Sequence, residues 1–167
     1  MTSTRMKAVK GINIGDQFST TRTFNEKDAI DFAKISRDYN PVHFDYRFAN
    51  VKHFKGRICH GLLIGSLITE IGGQLGWLAT EINFKFKKPV YFGDTIKCEL
   101  TINDIDANGF AEADAVFTKL DGTVVLKAVV KGSLPGEPER EVMNMMIEEG
   151  DPTNMIGKIK ESKQRIT

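Results

Sequence analysis

Over residues 61–75 the apolar positions Leu62, Leu63, Ile64, Leu67, Ile68, Ile71 and Leu75 fall on nearly every face of a helix, interrupted only by Ser66, Thr69, Glu70 and Gln74. A helix that is apolar all round is buried rather than amphipathic. At ~1.5 Å per residue it spans roughly 20–25 Å, too short to cross a bilayer and suited to the axis of a small domain. After it the period changes to two. Ile82, Phe84 and Phe86 alternate with Asn83, Lys85 and Lys87, and Ile96, Cys98, Leu100 and Ile102 alternate with Thr95, Lys97, Glu99 and Thr101, the pattern of half-buried strands. Gly93-Asp94 separates this pair, Asn108-Gly109 opens a third strand through Phe117, and Asp121-Gly122 is a hairpin turn into a fourth over 124–131. No long crossover segment joins them, so the sheet is antiparallel. One buried helix followed by an antiparallel meander predicts an α+β architecture in which the sheet wraps the helix.

The flanking segments are less regular. Residues 1–15 show no periodicity and are expected to be a ragged start, and Phe18, Thr20 and Arg22 alternate weakly enough to fit a short strand over 17–23. Asn25, followed three residues later by Asp28, resembles a helix N-cap, and Ala29, Phe32, Ala33 and Ser36 continue at helical spacing, predicting a helix over 26–36. Pro41 forces the preceding residue out of the helical region, which leaves 38–43 on a sharply turned loop. Beyond Ser133, the breakers Pro135, Gly136 and Pro138 precede Val142, Met145 and Met146 at helical spacing. The expected organisation is one domain over 1–134, then over 135–167 a linker, a short amphipathic helix at 139–149 and a polar, frayed tail.

At 167 residues with 41% hydrophobic content, the chain fits about one domain with a real core. Its formal charge of +1 offers no excess to neutralise a phosphate backbone or an anionic bilayer, so neither nucleic acid nor membrane is an expected partner. Two cysteines, Cys59 and Cys98, are too few for a disulfide framework. With no apolar leader in the first residues, the cytoplasm is the expected location.

The densest polar cluster in apolar surroundings is Asp38-Tyr39-Asn40-Pro41-Val42-His43. A carboxylate and an imidazole five residues apart on a proline-fixed turn can share a water, one taking a proton while the other supplies one. The alternative is that Asp38 and Asn40 only build Asx turns. Seventeen residues after His43 comes His60-Gly61, immediately before the buried helix. A glycine amide at a helix N-terminus is an orphan donor at the positive end of the macrodipole, the makings of an oxyanion site, or else simply a tight turn. Cys59 is a poor nucleophile, since adjacency to His60 is not thiolate–imidazole geometry, and His43, His53 and His60 lack zinc-ligand spacing, so no metal is expected.

Three blocks together settle between these options: 38–45 (DYNPVHFD), 54–63 (FKGRICHGLL) and 84–95 (FKFKKPVYFGDT) resemble, in order and spacing, the MaoC-like (R)-specific enoyl-CoA hydratases. The resemblance covers roughly residues 12–133. It implies a hot dog fold, a long central helix wrapped by antiparallel sheet, forming a homodimer or dimer of dimers with acyl thioesters bound at the subunit interface. It implies that Asp38 and His43 bind and activate water and that the Gly61 amide donates to the thioester carbonyl. Asn40 supports the turn, Thr69 stands where the family has a serine assisting the pair, and His60, Ser66 and Trp77 complete the substrate-binding set. No cofactor is required.

Two departures stand out. Arg37 replaces the family's glycine before Asp38, and the helix-to-strand connection over 72–80 is short, which places Trp77 as a plug that closes the acyl pocket. The open functional alternatives are a CoA-linked hydratase, an acyl-carrier-protein-linked dehydratase running in the reverse direction, and a non-catalytic thioester-binding module. A hot dog thioesterase would need a carboxylate on the central helix, and only Glu70 qualifies.

Overall fold

The computed structural model describes residues 3–150, so the tail expected over 151–167 lies outside the described residues. Five antiparallel strands form one sheet: β1 (Gln17–Thr23), β2 (Leu78–Phe86), β3 (Thr95–Ile105), β4 (Phe110–Lys119) and β5 (Val124–Ser133), in the order β1-β3-β4-β5-β2. The alternation read from the sequence sets its register. Ile96, Cys98, Leu100 and Ile102 of β3 and Ala111, Ala113, Ala115 and Phe117 of β4 are all buried, and small alanines in β4 leave room for a helix to lie against the sheet.

That helix is the apolar segment, and it has a joint. It runs as α4 (Gly61–Gly65) and α5 (Leu67–Leu75), with Ser66 between them. The Ser66 hydroxyl donates to the carbonyl of Leu63 at 2.6 Å, a back-bond of the kind that bends helices. Leu63, Ile64, Leu67, Ile68, Ile71 and Leu75 are buried, but Leu62, Thr69, Glu70 and Gly73 are exposed, so the helix is open along one stripe rather than enclosed on all sides.

The N-terminal segment corrects the expectation of a ragged start: Ser3–Lys10 forms a helix, α1. Its own amphipathicity is weak. Tertiary contacts hold it, through buried Ala8, a Lys7–Asp16 ion pair at 3.1 Å and an Arg5 guanidinium donating to the carbonyl of Gly73 at the end of α5. Helix α2 (Glu26–Ser36) starts on the expected Asn25 cap, reinforced by the Asp28 side chain accepting from the Asn25 amide. A single 3₁₀ turn, Pro41–His43, and a short helix, α3 (Tyr46–Val51), carry the loop that follows. After β5, α6 (Glu137–Glu148) returns to the α5 end of the molecule, where the sulfur of buried Met143 comes within 3.0 Å of the position a Cβ on Gly76 would take.

Candidate active site

Helix α2 ends because Arg37 adopts the left-handed conformation, φ 57°, and returns its amide to the carbonyl of Ala33. The family's glycine would take this conformation without steric cost, and Arg37 takes it with its side chain exposed. The reversal throws Asp38 clear of the helix. Two Asx turns then fix the loop: Asp38 Oδ1 accepts from the Asn40 amide at 3.1 Å, and Asn40 Oδ1 accepts from the Val42 amide at 3.2 Å, capping the 3₁₀ turn that aims His43 inward. The Asx turns therefore do not compete with the acid-base reading, since the same turns set where the Asp38 carboxylate and the His43 ring stand.

His43 is buried and held by the segment before the central helix. Its Nδ1–H donates to the carbonyl of Ile58 at 2.8 Å, while the Ile58 amide donates back to the carbonyl of Val42. The Cys59 amide in turn donates to Val90, and Ile58 bridges Tyr91, so this strap is tied to the loop ahead of β3. The Arg57 guanidinium braces it from outside, paired with Glu26 and lying 4.6 Å from the Tyr46 ring centroid. With Nδ1 carrying its hydrogen to a carbonyl, neutral His43 presents a lone pair at Nε2. That nitrogen stands 3.8 Å from Asp38 Oδ2. Burial pushes the His43 pKa below its ordinary value, and the neighbouring His60 adds to this, while the Ile58 carbonyl and the Asp38 carboxylate pull the other way.

A cavity of about 450 Å³ opens beside His43, lined also by Gly61, Ile64, Phe86, Lys87, Lys88, Val90 and Val125. Gly61 is the first residue of α4, so its amide has no acceptor within the helix. The absence of a side chain there has a steric reason: a Cβ on Gly61 would meet the Phe86 ring at 2.6 Å, and one on Gly65, a turn later, would meet Phe84 at 2.8 Å. Strand β2 thus lies tight along α4 and brings Phe86 to the glycine amide.

Asp38, His43 and Gly61 come together as expected, and Asn40 shapes the turn. The other expected substrate contacts are placed differently. His60 is 1% exposed and stacks on His43, its centroid 3.8 Å away, instead of lining the cavity. The Thr69 hydroxyl donates to the carbonyl of Ser66 at 2.7 Å and the Ser66 hydroxyl to that of Leu63, so neither bonds to Asp38 or His43. Trp77, 8% exposed, belongs to the main core and is absent from the cavity wall; its indole N–H is buried and has, among the described residues, no polar partner of the kind an indole usually finds. Glu70, the carboxylate on the central helix, is held by the Thr20 hydroxyl and the Arg22 guanidinium of β1. Ile58 and Phe86 carry no polar signal in the sequence, the first acting through its carbonyl and the second through a strand position shared with ordinary core residues.

Asp38, His43 and His60 also bring three ligand atoms within 4.8 Å of one another. Stacking sets the two imidazole planes side by side, and His43 Nδ1 and His60 Nε2 are each engaged with a main-chain carbonyl. Cys59 is buried next to the cavity and its thiol is pushed up to about 12, chiefly by that burial, so it is no nucleophile.

Comparison with known proteins shows the family and the fold. Residues 10–124 match the MaoC like domain, and the chain belongs to that family. It is 32% identical over 125 residues to the (R)-specific enoyl-CoA hydratase of Rhodospirillum rubrum, covering 72% of this chain and 84% of that one. It is 34% identical over 87 residues to the mitochondrial 3-hydroxyacyl-[acyl-carrier-protein] dehydratase of Arabidopsis thaliana, a match spanning 51% of this chain and about half, 52%, of that one. Among solved structures, an (R)-hydratase from A. caviae involved in PHA biosynthesis superposes with a TM-score of 0.70 at 26% identity, over 75% of this chain and 99% of that one. The fold is the hot dog fold of these hydratases.

Proposed function

We infer that this chain is a hydro-lyase that adds water reversibly to trans-2-enoyl-CoA to give (R)-3-hydroxyacyl-CoA. One observation carries the reading: a buried imidazole lone pair and a carboxylate oxygen 3.8 Å apart, with that imidazole on the same cavity as an unpaired helix N-terminal amide. The separation is too long for a direct hydrogen bond and suits one water donating a hydrogen to each group. As water attacks the β carbon, negative charge moves to the thioester oxygen as an enolate, where the Gly61 amide stands to receive it. Such a donor is worth about 2.7–4 kcal/mol in the transition state. The proton removed from water is then returned to the α carbon, so hydration needs no redox partner and runs equally in reverse.

The assay is loss of enone absorbance when the purified protein meets crotonyl-CoA and longer enoyl-CoAs. Turnover supports the reading, and its absence with every chain length and with the matching carrier-protein thioesters removes it. The similarity to the Arabidopsis dehydratase favours a second form of the same chemistry, dehydration of a 3-hydroxyacyl group on acyl carrier protein. Relative kcat/KM on CoA and carrier-protein thioesters separates the two. Exposed β2 supports a homodimer, and two buried, unpaired thiols fit a reducing compartment such as the cytoplasm.

A further inference from the structure

We propose that His60 is a positioning residue that holds the water-activating pair together, its Nε2–H gripping the main chain at Asp38 while its ring lies flat against the imidazole of His43. This rests on the hydration reading of that pair. The Nε2–H donates to the carbonyl of Asp38 at 3.0 Å across 22 residues of sequence, a bond linking the entrance of the central helix to the loop that carries the carboxylate. The ring centroid lies 3.8 Å from that of His43 at an interplanar angle of 29°. His60 therefore touches both members of the pair and lines no part of the cavity.

The surroundings make the position rigid. Phe32 of α2 packs on the His60 ring at 5.1 Å and Phe44 meets it edge-on at 5.7 Å, so the imidazole is wedged between the helix before the loop and the loop itself. Because His60 immediately precedes Gly61, the backbone that offers the oxyanion donor and the side chain that fixes the acid-base pair belong to adjacent residues. The remaining nitrogen, Nδ1, is buried with no partner among the described residues. An apolar residue of similar shape would avoid burying that unpaired acceptor but would lose the Nε2–H bond to Asp38, so the bond to the loop is what calls for an imidazole here.

Two substitutions divide the two contacts. His60→Gln keeps an N–H near the Nε2 position and removes the ring; His60→Phe keeps a ring and removes the donor. The groups facing His43 are Asp38, His60 and the Ile58 carbonyl, with Lys87, Lys88 and the Cys59 thiol lining the same cavity. Loss of the ring uncovers His43, so in His60→Gln its imidazole should titrate at higher pH than in the wild type, as read by NMR of the labelled histidines, and the acid limb of kcat/KM should move with it. In His60→Phe the ring still covers His43 and only the charge effect of His60 is lost, so the titration should rise less than in His60→Gln, while kcat falls at least tenfold with KM changed less than threefold, because Asp38 has lost its tether. Thermal unfolding of each variant reports whether it folds. Wild-type titration in His60→Gln, or wild-type kcat in His60→Phe, overturns the inference. The NMR titration needs no turnover, so an inactive wild-type protein would sink the hydration reading while the ring contact is still decided.

Discussion

On the proposed reading Asp38 and His43 share one water, so removing either proton acceptor should remove most of the rate. Asp38→Asn and His43→Gln are nearly isosteric, and each is expected to lower kcat for crotonyl-CoA hydration by more than about a hundredfold, the usual scale for positioned acid-base groups, with the fold intact by circular dichroism. Wild-type turnover in either variant would show that the pair is not the base. His43 also ties stability to pH. Its pKa is lowered from 6.5 in the folded protein, so across the interval just below that value the unfolded chain binds more protons than the folded one. Stability from His43 is therefore complete above the unfolded value and is lost as pH falls through the folded one. Urea midpoints measured at about pH 7.5 and pH 5.5 should fall on acidification, with a smaller drop in His43→Gln. The residues of this site were legible because their types and spacing are chemical: D-x-N-P-x-H is a turn signal and an acid-base pair at once. Ile58 was not, since a carbonyl that fixes a tautomer belongs to any residue. His60 was legible as important and misplaced, because a sequence shows that an imidazole is present and not which way it faces.

Among the elements, the strands and the central helix followed from periodicity, and the departures from it have local causes. Helix α1 has no apolar stripe of its own and exists through what α5 and α6 offer it. The short α3 had one signal, Asp45, whose side chain caps it by accepting from the Arg47 amide, but six residues carry too little period to be seen. Strand β2 begins at Leu78, earlier than the alternation from Ile82 indicates, because its pairing with β5 shifts register between Ala79 and Glu81 and a bulge breaks the period of two. Gly132 of β5 lies against this irregularity. A Cβ there would sit 2.2 Å from the Leu78 carbonyl oxygen and 2.6 Å from Ala79 Cα, both backbone atoms of the neighbouring strand that cannot swing aside. Gly132→Ala is expected to cost about 1–3 kcal/mol and to lower the melting temperature. Gly72 on α5 offers the contrast, with nothing within 4 Å of its would-be Cβ. Gly72→Ala should gain about 0.5–1 kcal/mol from helix propensity alone, and equal effects at the two sites would mean that the tight β2–β5 approach does not govern this edge.

On the scale of the whole molecule, the two edges of the sheet are treated differently. Strand β1 is short and polar, its Thr20 and Arg22 fastened to Glu70 of the central helix, which blunts it against further pairing. Strand β2 has nine residues, every one of them at least partly exposed, and leaves Leu78 at 72%, Ile82 at 37% and Phe86 at 56% exposure. A long apolar edge with an open row of backbone donors and acceptors invites another strand, and a two-fold axis lets the same edge of a second copy supply it, merging two five-stranded sheets into one. The exposed stripe of the central helix, with Leu62 and Thr69, lies on the neighbouring element, since β2 runs against Gly61 and Gly65. Pairing through β2 would bring a second chain to the cavity and to Thr69, whose hydroxyl is bonded within its own helix to the carbonyl of Ser66. The expected outcome is a dimer mass by light scattering at micromolar concentration. Ile82→Lys, a charge placed on the edge away from the cavity residues, should shift the mass toward the monomer and reduce hydration in parallel. A monomeric wild-type protein with full activity would place the whole site within one chain, and an Ile82→Lys protein that stays dimeric would move the interface elsewhere.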